Sequence, residues 1–526
     1  MSETKKYLLV LSIGPVQGFI AAARKTRDLW FGSHLLSEIS KATAMAVEKC
    51  GGKLIFPGDA NLEDKNVSVA NVVLAEVESD PKSVADRAKK AAETCWKKFA
   101  EDAKQKVLDL ANSKNVLREK HWDNQINDFL ELHAAWVPFQ EDYKNNRDRV
   151  MRLLAGRKAC RDFLPATGEH GLPKSSLDGA RETVLEKELP ATFRQNLHIR
   201  DGEQLDAIGV VKRFANRKSF KSLAHIAIDP LVRNNPGVME EIEQNDEIDD
   251  NKRLQKLAEK SPYFAIICAD GDKMGAAISA QTSSDDHQKL STALSGFAKN
   301  VPNTVKRHHG ECVYAGGDDV LAFVPLDQAI SCARKLHDDF ATNLVAYKDQ
   351  NVSLSVGIVV GHHHEMLETL LDFARKAESA AKKTNEGKEN NDPQYGDRNG
   401  LAVWTYHRSN SLCGVRERWQ GDKCSEKSLD NRLLAWADLF EKEKIPMKFP
   451  YDLRDFAKRF VKAEIPIPSD FISSNALQIM KQKRFECDKL SNRLKTIDDV
   501  QSLLSFADEL MIAQMIGDAI KLAKER

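Results

Sequence analysis

The 526-residue sequence predicts an α+β protein: two sheet-bearing units, a mostly helical connector between them, and a helical C-terminal domain. Three observations carry this. The chain opens on an apolar run, Tyr7-Leu8-Leu9-Val10-Leu11-Ser12-Ile13, which breaks at Gly14-Pro15 into a helical pattern through Phe19, Ile20, Leu29, Trp30, Leu35 and Leu36. A second apolar run, Tyr263 to Ala269, ends in Asp270-Gly271-Asp272 and starts a series of alternating strand and helix signals that reaches Trp404. From about 411 onward, Leu433, Leu434, Trp436, Leu439 and Phe440, then Leu503, Leu504, Phe506, Leu510 and Met511, recur at helical spacing.

Each unit follows from those patterns. Strand, glycine turn and helix at the N-terminus are the first half of an α/β unit, and strand-like runs at 53–57 and 69–77 extend it. Residues 1–80 are therefore read as the first α/β domain. A charged, alanine-rich stretch from about Lys82 to Leu110 is helical, and Pro165, Gly168, Gly171 and Pro173 punctuate a loop. Residues 81–260 are read as a mostly helical connector. In 261–410 the strand 263–269 precedes helices to about His308, a hairpin, a helix near 327–347, the strand 352–360, a helix around Met366 to Ala377, and a last strand at 401–404. This β-α-β-β-α-β order, with additions, is the ferredoxin-like topology. Residues 411–526 complete the chain as the helical C-terminal domain.

Composition narrows the function classes. A chain of this length exceeds what one core usually fills, so several domains and an enzyme with accessory parts are possible. The 78 Lys and Arg balance the 78 Asp and Glu, so overall charge does not mark a nucleic-acid binder and partners must be argued from sites. Nine cysteines are scattered without a CxxC pair, which speaks against a disulfide framework or a zinc ribbon. No apolar run reaches the roughly 18 residues of a membrane span, and the first residues do not form a signal peptide. A soluble, cytoplasmic protein without a membrane partner is expected.

The hairpin holds the strongest chemical signal. Gly316-Gly317-Asp318-Asp319 lies between Cys312–Ala315 and Val320–Val324. Glycine at a tight turn supplies the positive φ it needs, and carboxylates on that turn are hard oxygen ligands of the kind Mg²⁺ takes beside a phosphate. In a ferredoxin-like sheet the first strand lies beside the hairpin, so Asp270 meets Asp318 and Asp319 at one sheet edge. Such carboxylates repel one another unless a divalent cation neutralises them, and metal there could activate a 3′-hydroxyl and hold an incoming triphosphate. Asp272 either shares the face of Asp270 or caps the helix that starts near Met274.

This arrangement resembles the nucleotide-polymerising palm shared by GGDEF cyclases and CRISPR polymerases. Ile13-Gly14-Pro15-Val16-Gln17-Gly18-Phe19-Ile20, with Ala23 to Trp30 and Gly32-Ser33, resembles the first palm of the large subunit of type III-B CRISPR effector complexes. Asp270 to Gly275 and the GGDD hairpin resemble its second palm, and Gly202 to Arg213 its connector. The resemblance implies two ferredoxin-like domains of the palm, or GGDEF, type. It implies that Asp270, Asp318 and Asp319 are catalytic and that Asp270, Gly271, Asp318 and Asp319 hold Mg²⁺ or Mn²⁺. Gly316, Gly317 and Lys382 would serve one nucleotide, and Ser12, Gly14 and Gln17 the other. The implied activity is conversion of ATP to an oligoadenylate messenger when target RNA is bound, with guide RNA and other type III-B effector subunits as partners.

The sequence departs from that family twice. Many relatives begin with a histidine-aspartate nuclease domain, whereas here the first palm starts within ten residues of Met1, and the His337-Asp338 pair falls in a helix, where it reads as solvent-facing. No DNase activity is expected. Relatives also often carry a four-cysteine zinc knuckle; the comparable region, about 155–185, keeps only Cys160 and has Ser175-Ser176 where paired cysteines would stand. Zinc is not expected.

Weaker signals have plain readings. His362-His363-His364 falls in a strand-to-helix turn and reads as that turn. Lys376, Lys382 and Lys383 could reach a triphosphate from the last palm helix, with Lys382 best placed. Arg24 and Arg27, three apart on the first helix, either contact phosphate or pair with acidic neighbours, and Trp30 reads as a core anchor. Two other functions compete with the polymerase. One is a catalytically silent scaffold that docks guide RNA and other subunits; the other is a free-standing cyclase acting on GTP, which would need neither the first palm nor the helical tail.

Overall fold

The computed structural model describes residues 5–58, 62–64, 67–111, 115–160, 168–187, 189, 193–194, 199–215, 220–234, 237, 252–382, 398–406, 412–419, 428–461 and 467–524. Its first sheet holds β1 (Tyr7–Gly14), β2 (Lys53–Phe56), β3 (Val72–Val77) and β4 (Glu131–Pro138) in the order β2-β3-β1-β4, with every pair antiparallel. This is the ferredoxin-like order. Alternation along β1 divides its side chains between two cores. Leu9, Leu11 and Ile13 face the helices Thr26–Lys49 and Pro81–Ala111. Leu8 and Val10 face the helix Tyr143–Ala159.

The first unit thus runs well past residue 80. Its fourth strand lies inside the stretch read as helical connector, for a physical reason. β4 is an edge strand, half-exposed over most of its length, and its centre is His133-Ala134-Ala135, so neither strict alternation nor β-branched residues announce it. Pairing with β1 from Tyr7↔Pro138 to Gly14↔Glu131 decides its conformation.

The second sheet holds β5 (Tyr263–Asp272), β6 (Glu311–Gly316), β7 (Asp319–Pro325), β8 (Ser353–His362), β9 (Gly400–Tyr406) and β10 (Leu412–Arg418), in the order β10-β9-β8-β5-β7-β6. The four strands β8-β5-β7-β6 form the antiparallel ferredoxin-like core; β9 joins β8 in parallel, after the crossover helix Leu367–Lys382. β10 lies beyond the boundary expected at 410. Its inward positions are Cys413, Val415 and Glu417, and the inward glutamate interrupts the apolar alternation that would have marked a strand.

One face of this sheet carries Ala265, Ile267 and Ala269 and continues into the core of the C-terminal helices, among them Leu429–Glu441 and Val500–Lys524. The other face carries Phe264, Ile266 and Cys268. It is covered by the helices Leu367–Lys382 and Leu223–Val232 and by Ile20, Ala23 and Leu29 of the first unit. The two units therefore share a hydrophobic core. Among the described residues no helix is long and apolar enough to cross a membrane.

A second joint links the units at the helices Tyr143–Ala159 and Ser284–Arg307. The Tyr143 hydroxyl lies 2.7 Å from Nδ1 of His287, which is 5% exposed, and Arg147 donates to the Ile278 carbonyl. Burial first, then the charge of Arg147, lowers the His287 pKa to about 4. The native state thus holds the neutral ring, while the unfolded chain takes up a proton near pH 6.5. Stability at this joint is complete above about pH 6.5 and falls as pH drops toward 4, by about 3 kcal/mol for a shift of this size. His287→Gln should remove that increment. Between pH 7 and 4.5 the wild-type unfolding midpoint should fall further than the variant's, as read by thermal denaturation.

Candidate active site

Strand register brings the carboxylates together. β5 pairs with β7 up to Ala269↔Val320, so one further step along both strands sets Asp270 opposite Asp319. Residues directly opposite in an antiparallel pair project from the same face. Here it is the face of Cys268, Tyr314 and Leu321, which the first unit also covers. Gly317, at φ +71°, makes the turn that the sequence predicts between β6 and β7.

Gly271 governs how closely β5 approaches that turn. A Cβ on it would lie 2.7 Å from Cβ and 2.8 Å from Oδ2 of Asp318. Only a residue without a side chain lets Asp318 sit there. Gly316 has a parallel role, since a Cβ on it would collide with the Tyr314 hydroxyl.

The crowding shows in the electrostatics. Partial desolvation, then the charge of Asp270, raises the Asp318 pKa to about 6, against the opposing pull of its backbone hydrogen bond and of Lys382. Asp319 is pushed further up, by desolvation first, then by its hydrogen bond to Asp270 and the charges of Asp270 and Asp318. It still keeps an open face to solvent. A cation comes from the end of the crossover helix: the Lys382 ammonium pairs with Asp270 and lies 2.7 Å from Glu378. Burial alone would lower the Lys382 pKa, but the hydrogen bonds to Asp270 and Glu378 outweigh it and raise it. Glu378 was not anticipated, although its position four residues before Lys382 places both on one helix face. It also accepts a 3.3 Å hydrogen bond from the Cys268 thiol, on the strand that carries Asp270.

Asp272 shares the face of Asp270, two residues before it on β5, and is not a helix cap. Lys273, at φ 58°, precedes the helix Met274–Ala280, so Asp272 is not its cap. Nor does it join the other carboxylates. Fully enclosed, it accepts hydrogen bonds from Ser353 Oγ at 2.7 Å, Ser355 Oγ at 2.8 Å and the Asn399 backbone N–H at 2.8 Å, bracing β5 against β8 and the start of β9. Among the described residues, no three His, Cys, Asp or Glu side chains already stand in a metal-binding arrangement. His362 to His364 are stacked rings in a turn, 3.9–5.4 Å apart.

In the first unit the expected residues differ in access. Ser12 is 2% exposed and held between Val72 and His133, so its hydroxyl faces no open surface. Gly14 ends β1 beside Glu131, and Gln17 is exposed at the start of the helix Gln17–Ala21. Arg24 and Arg27 do not share a helix, because the first helix stops at Ala21 and the next begins at Thr26. Lys376 lies over the Phe373 ring, and Lys383 falls outside the described residues. His337 is not solvent-facing: it packs 4.7 Å from Trp419 and contacts Asn399, and only Asp338 is exposed. Its place against Trp419, just after β10, and Asn399, just before β9, explains its burial.

Two ferredoxin-like units sharing a core, one with carboxylates at the shared face, define a two-palm protein. Residues 263–391 match the model of the second palm domain of Cas10/Cmr2, and residues 8–101 that of the N-terminal region of the CRISPR-associated protein Cmr2. The CRISPR system Cmr subunit Cmr2 of Pyrococcus furiosus is 24% identical over 532 aligned positions, covering 73% of this chain and 60% of that protein. The chain thus spans about three fifths of the length of that curated relative. Among solved structures, the fold is similar to a chain of the apo type III-B Cmr-beta complex (TM-score 0.62, 13% identity, 96% of this chain and 81% of that one). It is similar to a chain of the same complex bound to cognate target RNA (TM-score 0.62, 14% identity, 95% and 82%). A Csm1–Csm4 cassette in complex with pppApApA is more distant (TM-score 0.51, 13% identity, 97% and 70%). Over residues 8–101 and 263–391 the chain is thus similar to proteins of the Cas10/Cmr2 kind.

Gly271→Ala should destabilise the second unit by about 1–3 kcal/mol, the usual cost of an overpacked contact. Gly275→Ala is the matched control: a Cβ there meets nothing within 4 Å, and the position is helical, so stability should hold or rise by up to about 1 kcal/mol. Denaturation of the two variants side by side checks both.

Proposed function

We propose that this chain is the nucleotidyltransferase subunit of an RNA-guided antiviral type III-B effector, converting ATP to an oligoadenylate-type second messenger when target RNA is bound. The observation that carries the reading is the meeting of Asp270, Asp319 and Lys382 on the sheet face that the first palm also covers, with Asp318 beside them at the turn. The matched relatives support the setting: one is a Cmr subunit, one complex holds target RNA, and one cassette holds pppApApA. Guide RNA, target RNA and other effector subunits are the proposed partners, and the cytoplasm the proposed location.

The donor set fits a divalent cation. Burial first, then the neighbouring carboxylates, raises the pKa values of Asp318 and Asp319, and a bound cation beside these hard oxygen donors would oppose that. Asp270, Asp318 and Asp319, with the backbone of Gly271, would hold Mg²⁺ or Mn²⁺. When bound, the ion would polarise the α-phosphate and stabilise the attacking hydroxyl as its oxygen approaches. The chain's own residues do the positioning. Gly316 and Gly317 leave the turn free of side chains where a triphosphate would lie. Lys382 would exchange its carboxylate partners for phosphate oxygens. Gln17 and the backbone of Ser12 and Gly14 would orient the acceptor nucleotide, whose 3′-oxygen bonds to the α-phosphorus as pyrophosphate leaves. Little beyond orientation and charge neutralisation is required. His337 and Asp338 are given no nuclease role.

The Lys382–Asp270 ion pair favours a second reading, a silent scaffold in which the ammonium permanently replaces metal. One experiment separates them. With Mg²⁺ or Mn²⁺ and target RNA, mass spectrometry of the assembled complex should detect oligoadenylates. The double variant Asp318→Ala, Asp319→Ala should lower product at least 100-fold while assembly and RNA binding persist. Unchanged product in the double variant, or none from the wild type, would overturn the polymerase.

A further inference from the structure

Away from the carboxylates, the connector helix Ala207–Phe214 buries two adjacent cations, Lys212 at 1% and Arg213 at 2% exposure. Arg213 is matched by carboxylates: Asp28 at 3.0 Å and Glu203 at 3.0 Å. Lys212 is different. Its ammonium donates to two backbone carbonyls, Phe19 O at 2.6 Å and Ala22 O at 2.5 Å, and lies 4.8 Å from the centre of the Phe19 ring. Asp28, Asp206 and Asp178 offset its charge through space.

A lysine is an expensive way to fill this space. An apolar side chain of similar volume would avoid desolvating an ammonium. The carbonyls explain its presence. The helix Gln17–Ala21 has five residues, so the carbonyls at its end lack helical partners. The chain then turns over Ala22 to Lys25 before entering the helix Thr26–Lys49. A three-donor ammonium can hold two carbonyls of that turn at once.

What is held there faces the active site. Ile20 and Ala23, within or beside the clamped segment, pack in the same core as Val313, Phe323 and Tyr314 of the second palm. The Tyr314 hydroxyl in turn covers Gly316, at the start of the carboxylate turn. Gln17 lies two residues before one clamped carbonyl. The clamped segment thus shares one core with Tyr314, the residue that covers the carboxylate turn.

We propose that Lys212 is a positioning residue for the acceptor nucleotide: by clamping the Phe19 and Ala22 carbonyls it fixes the segment from Gln17 to Ala23 against the second palm. The placement of Gln17 relative to Asp270, Asp318 and Asp319 then depends on a cation of the connector. This proposal rests on the polymerase reading above.

The test uses the full chain for hydrogen exchange and the assembled, RNA-activated complex for kinetics. Lys212→Met should speed amide exchange in 17–25 at least tenfold while exchange in 311–325 stays within twofold. It should raise the KM for ATP at least tenfold with a smaller fall in kcat. Lys212→Gln, which keeps a donor without the charge, should fall between wild type and Lys212→Met in both readouts, and it carries the test should Lys212→Met fail to fold. Unchanged exchange in 17–25 would overturn the clamp. Altered exchange with unchanged KM would overturn its role in the reaction, as would loss of protection spread equally through both palms. A wild-type complex that makes no product removes the polymerase reading and with it the kinetic role, while exchange still decides whether the clamp exists.

Discussion

Three carboxylates gathered at one end of a sheet repel one another, and much of the second palm is arranged around making that tolerable. Register sets Asp270 opposite Asp319, and the missing side chain of Gly271 brings Asp318 against the same strand. The raised pKa values of Asp318 and Asp319 express the cost of burial first and of the crowding second. Lys382 meets it from the crossover helix, while the charge of Glu378 adds to it, and Cys268 ties Glu378 back to the strand that carries Asp270. A site built this way is poised to take positive charge or a charged ligand, because among the described residues Lys382 faces several anions.

The chemistry was more legible in the sequence than the boundaries were. Gly317 takes the positive φ that its place in the turn requires, and the convergence of Asp270 with the hairpin follows from β-α-β-β-α-β order. Those signals are local or topological. β4 and β10 were hidden because tertiary partners decide them: an alanine-centred edge strand fixed by β1, and a strand whose inward Glu417 answers an arginine from the C-terminal helices. Asp272 could not be placed from its own neighbourhood, since its partners, Ser353, Ser355 and Asn399, lie 81 residues or more away. Ser12 shares its strand with an open end at Gly14, yet the helix Tyr143–Ala159 encloses that face of β1.

The seams between the parts repeat one device. Arg213 of the connector sits between Asp28 of the first palm and Glu203. Arg233, further along the connector, sits between Asp229 at 2.6 Å and Asp327 of the second palm at 2.8 Å. Arg432 of the C-terminal domain sits between Glu417 of β10 and Glu509 of the last helix, and Trp436 adds a 2.8 Å hydrogen bond to Glu509. Pairs like these add little net stability over apolar packing, because desolvation offsets the attraction. They are intolerant of misalignment, because a displaced partner leaves a buried charge without a match. Arginine suits the task, since its planar fork fixes direction as well as distance.

Lys212 stands apart from that pattern in what it holds. An arginine held by carboxylates fixes one side chain to another, and the backbone between them can still adjust. An ammonium held by the Phe19 and Ala22 carbonyls fixes the main chain itself. Where a nucleotide is to lie against backbone rather than side chains, main-chain position is the quantity that must be set. Ser12 is enclosed and Gly14 has no side chain, so the first palm would meet its ligand largely through backbone. The same logic explains why the glycines are on the opposite side, at the second palm's turn. There, too, the chain offers main chain, and the positioning comes from what packs behind it, Tyr314 over Gly316 and Asp318 over Gly271.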